Sequence, residues 1–442
     1  MLRQCVFWGI VGASTAAAQG GWGDGGTMNV THAAHAATLL GTGQVLVTGG
    51  GPTGVAVDCE FYDPTTGSWS VAPKMGTGRS SHTATLLQSG ILLVAGGFGP
   101  AGVVLGSAQV YNPAASSWQT IAAMASVRVS HAATLLPNGD VLVTGGLDTT
   151  LSTLTSAERY SPATGLWTSA GTMASGHTYH SSTLLPNGLV LVAGGEDTNF
   201  APSAVAELYN PATGAWTAAG SMTTARVYQT ATLLPTGKVL VVGGVDQNFN
   251  ITALAEIYDP AANSWAPTAS MTTAREGITA TLLSSGLTLV AGGYNLTSVL
   301  TSAELYDAAS GTWQSAGTMA TARYQHSATL LPNGQVLVAG GFTTGSAPIA
   351  SAELYTPASF DGGSGDAGPS SRDGGSADAG ASANDSGFTD GGSSLPDSGV
   401  ADAGGQAPRT YAVGCDCNAS PAGAWILWAL VAAAICCRNR FR

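Results

Sequence analysis

Five histidines, His35, His82, His131, His180 and His326, each follow a methionine by seven residues. Imidazoles in matched positions suggest metal ligation or proton transfer. Their distribution argues otherwise: one falls in each of five repeated units, at equal radius about an axis and too far apart to share an ion. Gln229 and Ile278 fill the same place in two further units, so the position accepts an apolar group. The histidines are therefore read as structural, hydrogen-bonding near the start of an inner strand. Arg79, Arg128, Arg226, Arg275 and Arg323 stand four residues after the same methionines, with His32 and His177 in the remaining units. Guanidinium groups there would ring one mouth of a central channel, and their donor fork suits carboxylates. Glu60, Glu158, Glu207, Glu256, Glu304 and Glu353 also recur, in six of the seven units, and offer the alternative, structural pairing.

Asp148, Asp197 and Asp246 lie two residues after a Gly-Gly pair in three consecutive units. Phe200 and Phe249 follow in two of them, and Tyr294 and Phe342 stand in the next loops. The aspartates either cap their own turns or join these aromatics in a recognition surface, since variable loops on a rigid scaffold commonly carry binding. No nucleophile elbow, paired catalytic carboxylates or zinc-ligand spacing occurs. No catalytic residue, metal or cofactor is expected.

These residues hang on a unit of about 49 residues that recurs from near residue 20 to near residue 358. From Arg128, His131–Leu136 reads as a short strand, Pro137-Asn138-Gly139 as a tight turn, and Val141–Thr144 as a buried strand ending at Gly145-Gly146. A loop leads to a third strand, Ser156–Tyr160, and Trp167 opens a fourth that runs toward Met173. Four short strands per unit make one propeller blade. Gly-Gly pairs end at Gly50, Gly97, Gly146, Gly195, Gly244, Gly293 and Gly341, each followed 12 to 14 residues later by a tyrosine. In six units a tryptophan comes seven residues after the tyrosine, and a methionine six after that. The last tyrosine, Tyr355, has no such tryptophan, whereas Trp22 precedes Met28 by the expected six residues. The N-terminal segment is thus predicted to supply the outermost strand of the seventh blade. The aromatic and methionine ladders are read as packing between blades, and Cys59 as a small buried strand residue.

The Gly-Gly, Tyr, Trp order resembles the kelch repeat over about 340 residues, implying an all-β, seven-bladed propeller with four antiparallel strands per blade. Some kelch-like propellers resemble galactose oxidase, a copper enzyme whose site needs imidazole and phenolate ligands and a Tyr–Cys cross-link. Here the tyrosines are mostly ladder residues and Cys59 fills a packing place, so an enzyme is not expected. In kelch domains that bind acidic peptides, arginines at the matching place meet the ligand's carboxylates. That resemblance implies an acidic ligand for the arginine ring.

The two ends carry separate signals. Met1-Leu2-Arg3, an apolar stretch and Ala16-Ala17-Ala18 read as a signal peptide over residues 1–18, cleaved after Ala18. The propeller is assigned to residues 19–358. Residues 359–414, rich in Gly, Ser, Asp and Ala, read as a disordered spacer. In 415–442, Cys415 and Cys417 precede an uncharged apolar segment over 418–437, followed by Arg438, Arg440 and Arg442. This predicts one transmembrane helix with its basic end in the cytoplasm. The order of Cys motif, helix and Arg cluster resembles the MYXO-CTERM sorting tail of myxobacterial surface proteins, which implies that Cys415 or Cys417 is processed.

Only 9% of the 442 residues are charged and the net charge is −12, which argues against a nucleic-acid partner. The expectation is an exported, membrane-anchored or cell-surface module that binds a protein, peptide or glycan through its loop face. A copper enzyme and an adhesive coat component are the alternatives.

Overall fold

The computed structural model describes residues 20–51 and 55–358; the signal peptide, spacer, Cys415, Cys417 and the apolar tail lie outside these residues. No helix among the described residues is long and apolar enough to cross a membrane.

Seven four-stranded antiparallel sheets follow one another. Blade 1 contains Ala36–Leu39, Val45–Thr48, Cys59–Asp63 and Ser68–Ala72. Blades 2 to 6 repeat this order, beginning at Thr83, Ala132, Ser181, Thr230 and Thr279. Blade 7 takes Ser327–Leu330, Val336–Ala339 and Ser351–Thr356 from the end of the repeat region, and Gly21–Thr27 from its start. Trp22 lies opposite Tyr355 in that last pairing. Each innermost strand touches those of two neighbouring blades, blade 7 against blade 1 included, so the ring is closed.

Local chemistry accounts for each strand. The second strands are continuous apolar runs because they are covered on both faces: Val45, Leu46 and Val47 are all fully buried. The third strands put a small residue, a carboxylate or amide, and the ladder tyrosine inward. Each tyrosine then meets its tryptophan, at ring-centroid distances of 5.0 to 5.2 Å in all seven blades. Each indole Nε1–H donates to a backbone carbonyl of the preceding blade at 2.7 to 2.9 Å, from Trp69 on Gly25 to Trp22 on Ala316. The ladders therefore weld blade to blade, as in the apolar cluster that joins Met222 of blade 4 to Tyr258 and Trp265 of blade 5. Cys59 is a buried free thiol in that packing.

The Gly-Gly pairs mark a closer contact. The second glycine of each pair donates its N–H to the carbonyl of the Arg or His that opens the next blade, at 2.8 to 3.0 Å. These bonds complete a circuit, the last running from Gly341 to His32. Both glycines have positive φ, and a Cβ on Gly146 would stand 2.7 Å from the Val129 carbonyl. No other residue fits there.

Candidate recognition site at the channel mouth

The five arginines do not ring a mouth. All are fully buried, and their guanidinium groups are spent inside the blade. Arg128, Arg226, Arg275 and Arg323 pair with Glu158, Glu256, Glu304 and Glu353 on the third strand of their own blade. Their Nη1 atoms also donate to backbone carbonyls, as from Arg128 to Gly145 at 2.7 Å. The same carboxylates accept N–H groups from the segment before the arginine, such as Ala125 and Ser126 on Glu158. His32 and His177 copy the arrangement, with Nδ1 donating to Gly49 or Gly194 and Nε2 facing Glu60 or Glu207. A charge locked this way fixes how the chain enters a blade, and an acidic ligand cannot reach it. Blade 2 departs from the pattern: Gln109 stands where the carboxylate should be, and burial alone pushes the Arg79 guanidinium down to about 10.

The histidines also serve the scaffold. Nε2 of His35, His82, His131, His180 and His326 meets a Ser or Thr hydroxyl of the preceding blade at 2.8 to 3.1 Å. Asp148, Asp197 and Asp246 cap their own loops; Oδ1 of Asp197, for example, accepts the N–H of Asn199 at 2.7 Å and of Ala201 at 3.1 Å. They shape the loops rather than face a ligand.

Two loop apices present apolar side chains among polar neighbours. Phe249 is 53% exposed and Leu296 60% exposed at the left-handed apices of blades 5 and 6. Phe200 holds the matching apex of blade 4 and is half-buried. Tyr294 and Phe342 were expected to project from their loops. They instead follow the Gly-Gly pair directly, bridge to Glu276 and Tyr324, and are half-buried.

The residues that form the mouth were not singled out in the sequence. Two residues after each opening Arg or His stands one with positive φ: Ala34, Ser81, Ser130, Tyr179, Tyr228, Gly277 and Gln325. Six of these are not glycine, and such backbone is sparsely populated by other residues. Several bond to the preceding blade, as Ser81 to Ala34 at 2.8 Å and Tyr179 to Ser130 at 3.1 Å, which places them close around the axis.

Their neighbours divide the mouth in two. On the side of blades 2 and 3, Phe98, Val104, Val129 and Leu147 form an apolar cluster. On the side of blades 4 to 7 the lining is aromatic and acidic. Tyr179 and Tyr228 pack with ring centroids 4.4 Å apart and planes tilted by 46°, and Tyr324 lies 6.1 Å from Tyr294 and 5.5 Å from Phe342. Glu196 and Glu276 sit among them. Burial, with Asp197 adding repulsion, pushes the Glu196 carboxyl up to about 7, and burial pushes Glu276 to about 7. Tyr228 is raised well above its ordinary value, by burial first and then by Tyr179 and both carboxylates. The signal that could have found this site is the variation of these positions from blade to blade inside an otherwise constant frame.

Fold and site together define a seven-bladed β-propeller with a structured channel mouth, and comparison with known proteins gives it a family motif. Residues 128–174, one full unit from Arg128 past Met173, match the Kelch motif family. No curated protein matches the chain. Among solved structures, it is similar to a fungal alcohol oxidase of the AA5 family in complex with copper. That likeness has a TM-score of 0.62 and 19% identity, and covers 76% of each chain. It is also similar to YjhT, with a TM-score of 0.51, 17% identity, and coverage of 64% of this chain and 96% of that one. At these identities the likeness is one of fold.

The copper of the first relative raises a question of fit. Among the described residues no three His, Cys, Asp or Glu side chains gather as a ligand set. The Cys59 thiol is held in the core, where burial pushes it up to about 12. The histidines are turned between blades, so the described residues do not fit a copper centre.

Proposed function

We propose that this protein is a non-enzymatic recognition module, displayed at a membrane or cell surface, that takes a protein or peptide ligand on the loop face around the channel mouth. The observation that supports the reading is where departures from the repeat concentrate. Packing, hydrogen-bond circuit and buried ion pairs recur blade after blade, whereas the mouth and loop apices differ and expose Phe249 and Leu296. Rigid scaffolds with variable exposed apolar groups are suited to binding. The opposite face offers tight turns such as Pro137-Asn138-Gly139, with Leu166 exposed beside one of them.

Capture of a partner by the full-length chain should be lost in the double variant Phe249→Ser, Leu296→Ser, with an unchanged melting temperature. It should persist when Asn187 and Asn333, on the opposite turns, are changed to Lys. Capture lost only in the second pair would place recognition on the wrong face.

Surface display rests on the sequence at both ends. A chain stopped after Gln406 should be found folded in the medium while the full chain stays with the cells. Equal partition of the two would remove the anchor from the proposal.

A further inference from the structure

Resting on that reading of the mouth, we propose that Tyr179, Tyr228, Glu196 and Glu276 form a receptor for the cationic side chain of a lysine or arginine on a peptide or protein partner. Glu196 is 9% exposed, and among the described residues its carboxylate accepts no hydrogen bond and meets no cation. Glu276, half-buried, is in the same position. The oxygens of both keep some contact with solvent, so each carboxylate stands without a donor from its own chain and within reach of a cation from outside.

Nothing within the chain fills that role. The nearest arginines along the sequence, Arg226 and Arg275, are committed to Glu256 and Glu304. The charged neighbour of Glu196 is Asp197, whose sign is wrong and whose Oδ1 is occupied by its own loop. The remaining titratable groups that face the two carboxylates are Tyr179, Tyr228 and Tyr324, all acids. Tyr228 links the halves of the site, since both carboxylates act on its hydroxyl and its ring packs on Tyr179 at 4.4 Å. Aromatic faces beside unpaired carboxylates attract ammonium and guanidinium groups by cation–π and charge-assisted contacts. The fit is opposite in sign to the acidic ligand implied by an exposed arginine ring.

Both carboxyls hold protons up to about pH 7 without ligand, so a bound cation displaces them. Affinity should therefore rise between pH 6 and pH 8.

The test uses the full-length chain and two capped peptides, acetyl-Gly-Lys-Gly-amide and its Nε-acetyl-lysine counterpart, followed through tyrosine difference absorbance. The lysine peptide should bind saturably, more tightly at pH 8 than at pH 6, and at least tenfold more tightly than the acetylated one. Glu196→Gln and Glu276→Gln should each reduce its affinity at least tenfold. Melting temperatures at pH 8 should be unchanged or higher, because a neutral amide replaces an unpaired buried charge. Equal binding of the two peptides, no binding of either, or undiminished affinity in a folded Glu196→Gln protein would overturn the proposal. If the peptides are not distinguished while the Phe249 and Leu296 variants still abolish capture, the recognition face stands and only the cationic ligand falls.

Discussion

Between pH 7 and pH 4 the melting temperature of this protein is expected to drop steeply, because its histidines refuse protons when folded. Burial, the largest cause, holds His35, His82 and His131 at about 3, and His180 and His326 well below the ordinary 6.5. The unfolded chain binds protons at these groups from about 6.5 downward, whereas in the folded ring His35, His82 and His131 do not until about 3 and His180 and His326 resist them well below 6.5. Stability is therefore lost as pH falls through that window. Each histidine contributes on the order of 1 kcal/mol per pH unit. The three held at about 3 alone reach several kcal/mol within two or three units, a large share of the ~5–15 kcal/mol stability of an ordinary domain.

Two groups act the other way. Glu196 and Glu276, raised from 4.5 to about 7, favour the folded state as pH falls across that interval. They are outnumbered. Burial pushes Glu60 and Glu207 up, but hydrogen bonds from His32 or His177 and from backbone N–H groups outweigh it and hold both low, which adds to the loss in acid. A melting temperature constant from pH 7 to pH 4 would contradict this account. His131→Gln provides the control, since Gln229 already fills the equivalent place in blade 5, its amide donating to the Ala193 carbonyl at 2.8 Å. That variant should melt near the parent at pH 8 and above it at pH 4.

Trp22 is half-buried, so Trp22→Ala should cost about 3 kcal/mol, the lower end of the range for truncating a buried aromatic. Trp22 packs on Tyr355 at 5.2 Å and donates to the Ala316 carbonyl at 2.8 Å, so it binds blade 7 to blade 6 as well as to its own sheet. Deleting residues 19–27 should be worse, because Trp69 of blade 1 would also lose its acceptor, Gly25. Thermal unfolding of both variants beside the parent measures the effect. A Trp22→Ala protein that melts like the parent would show that closure does not depend on this strand.

The blades were legible because their packing is periodic. Gly-Gly, Tyr, Trp and Met recur at fixed intervals, and the displaced Trp22–Met28 pair identified the strand that completes blade 7. The histidines' structural role followed from Gln229 and Ile278 at the same place. The arginines were harder, since spacing places a residue along the chain without telling whether water reaches it. Their glutamate partners were visible, yet which glutamate serves which arginine depends on the third strand folding back over its own blade, 29 or 30 residues on. The mouth left only one trace in the sequence, the variation of its positions from blade to blade, and spacing does not say which of them meet. Tyr179, Tyr228, Glu196 and Glu276 come from three blades, and the two tyrosines reach the axis on left-handed backbone that spacing does not announce.

The pairing of Gly21–Thr27 with Ser351–Thr356 also sets a clock on biosynthesis. At ~5–20 residues per second a ribosome needs roughly 15–65 s to travel between the two strands. During that interval six blades can assemble in order of emergence, each beside its predecessor, while the first-made strand has no counterpart. The array is then an open horseshoe with bare sheet edges, the state most exposed to association with other chains. Closure is the slow, high-contact-order step. Damage at this seam would therefore lower the yield of intact protein as well as its melting temperature.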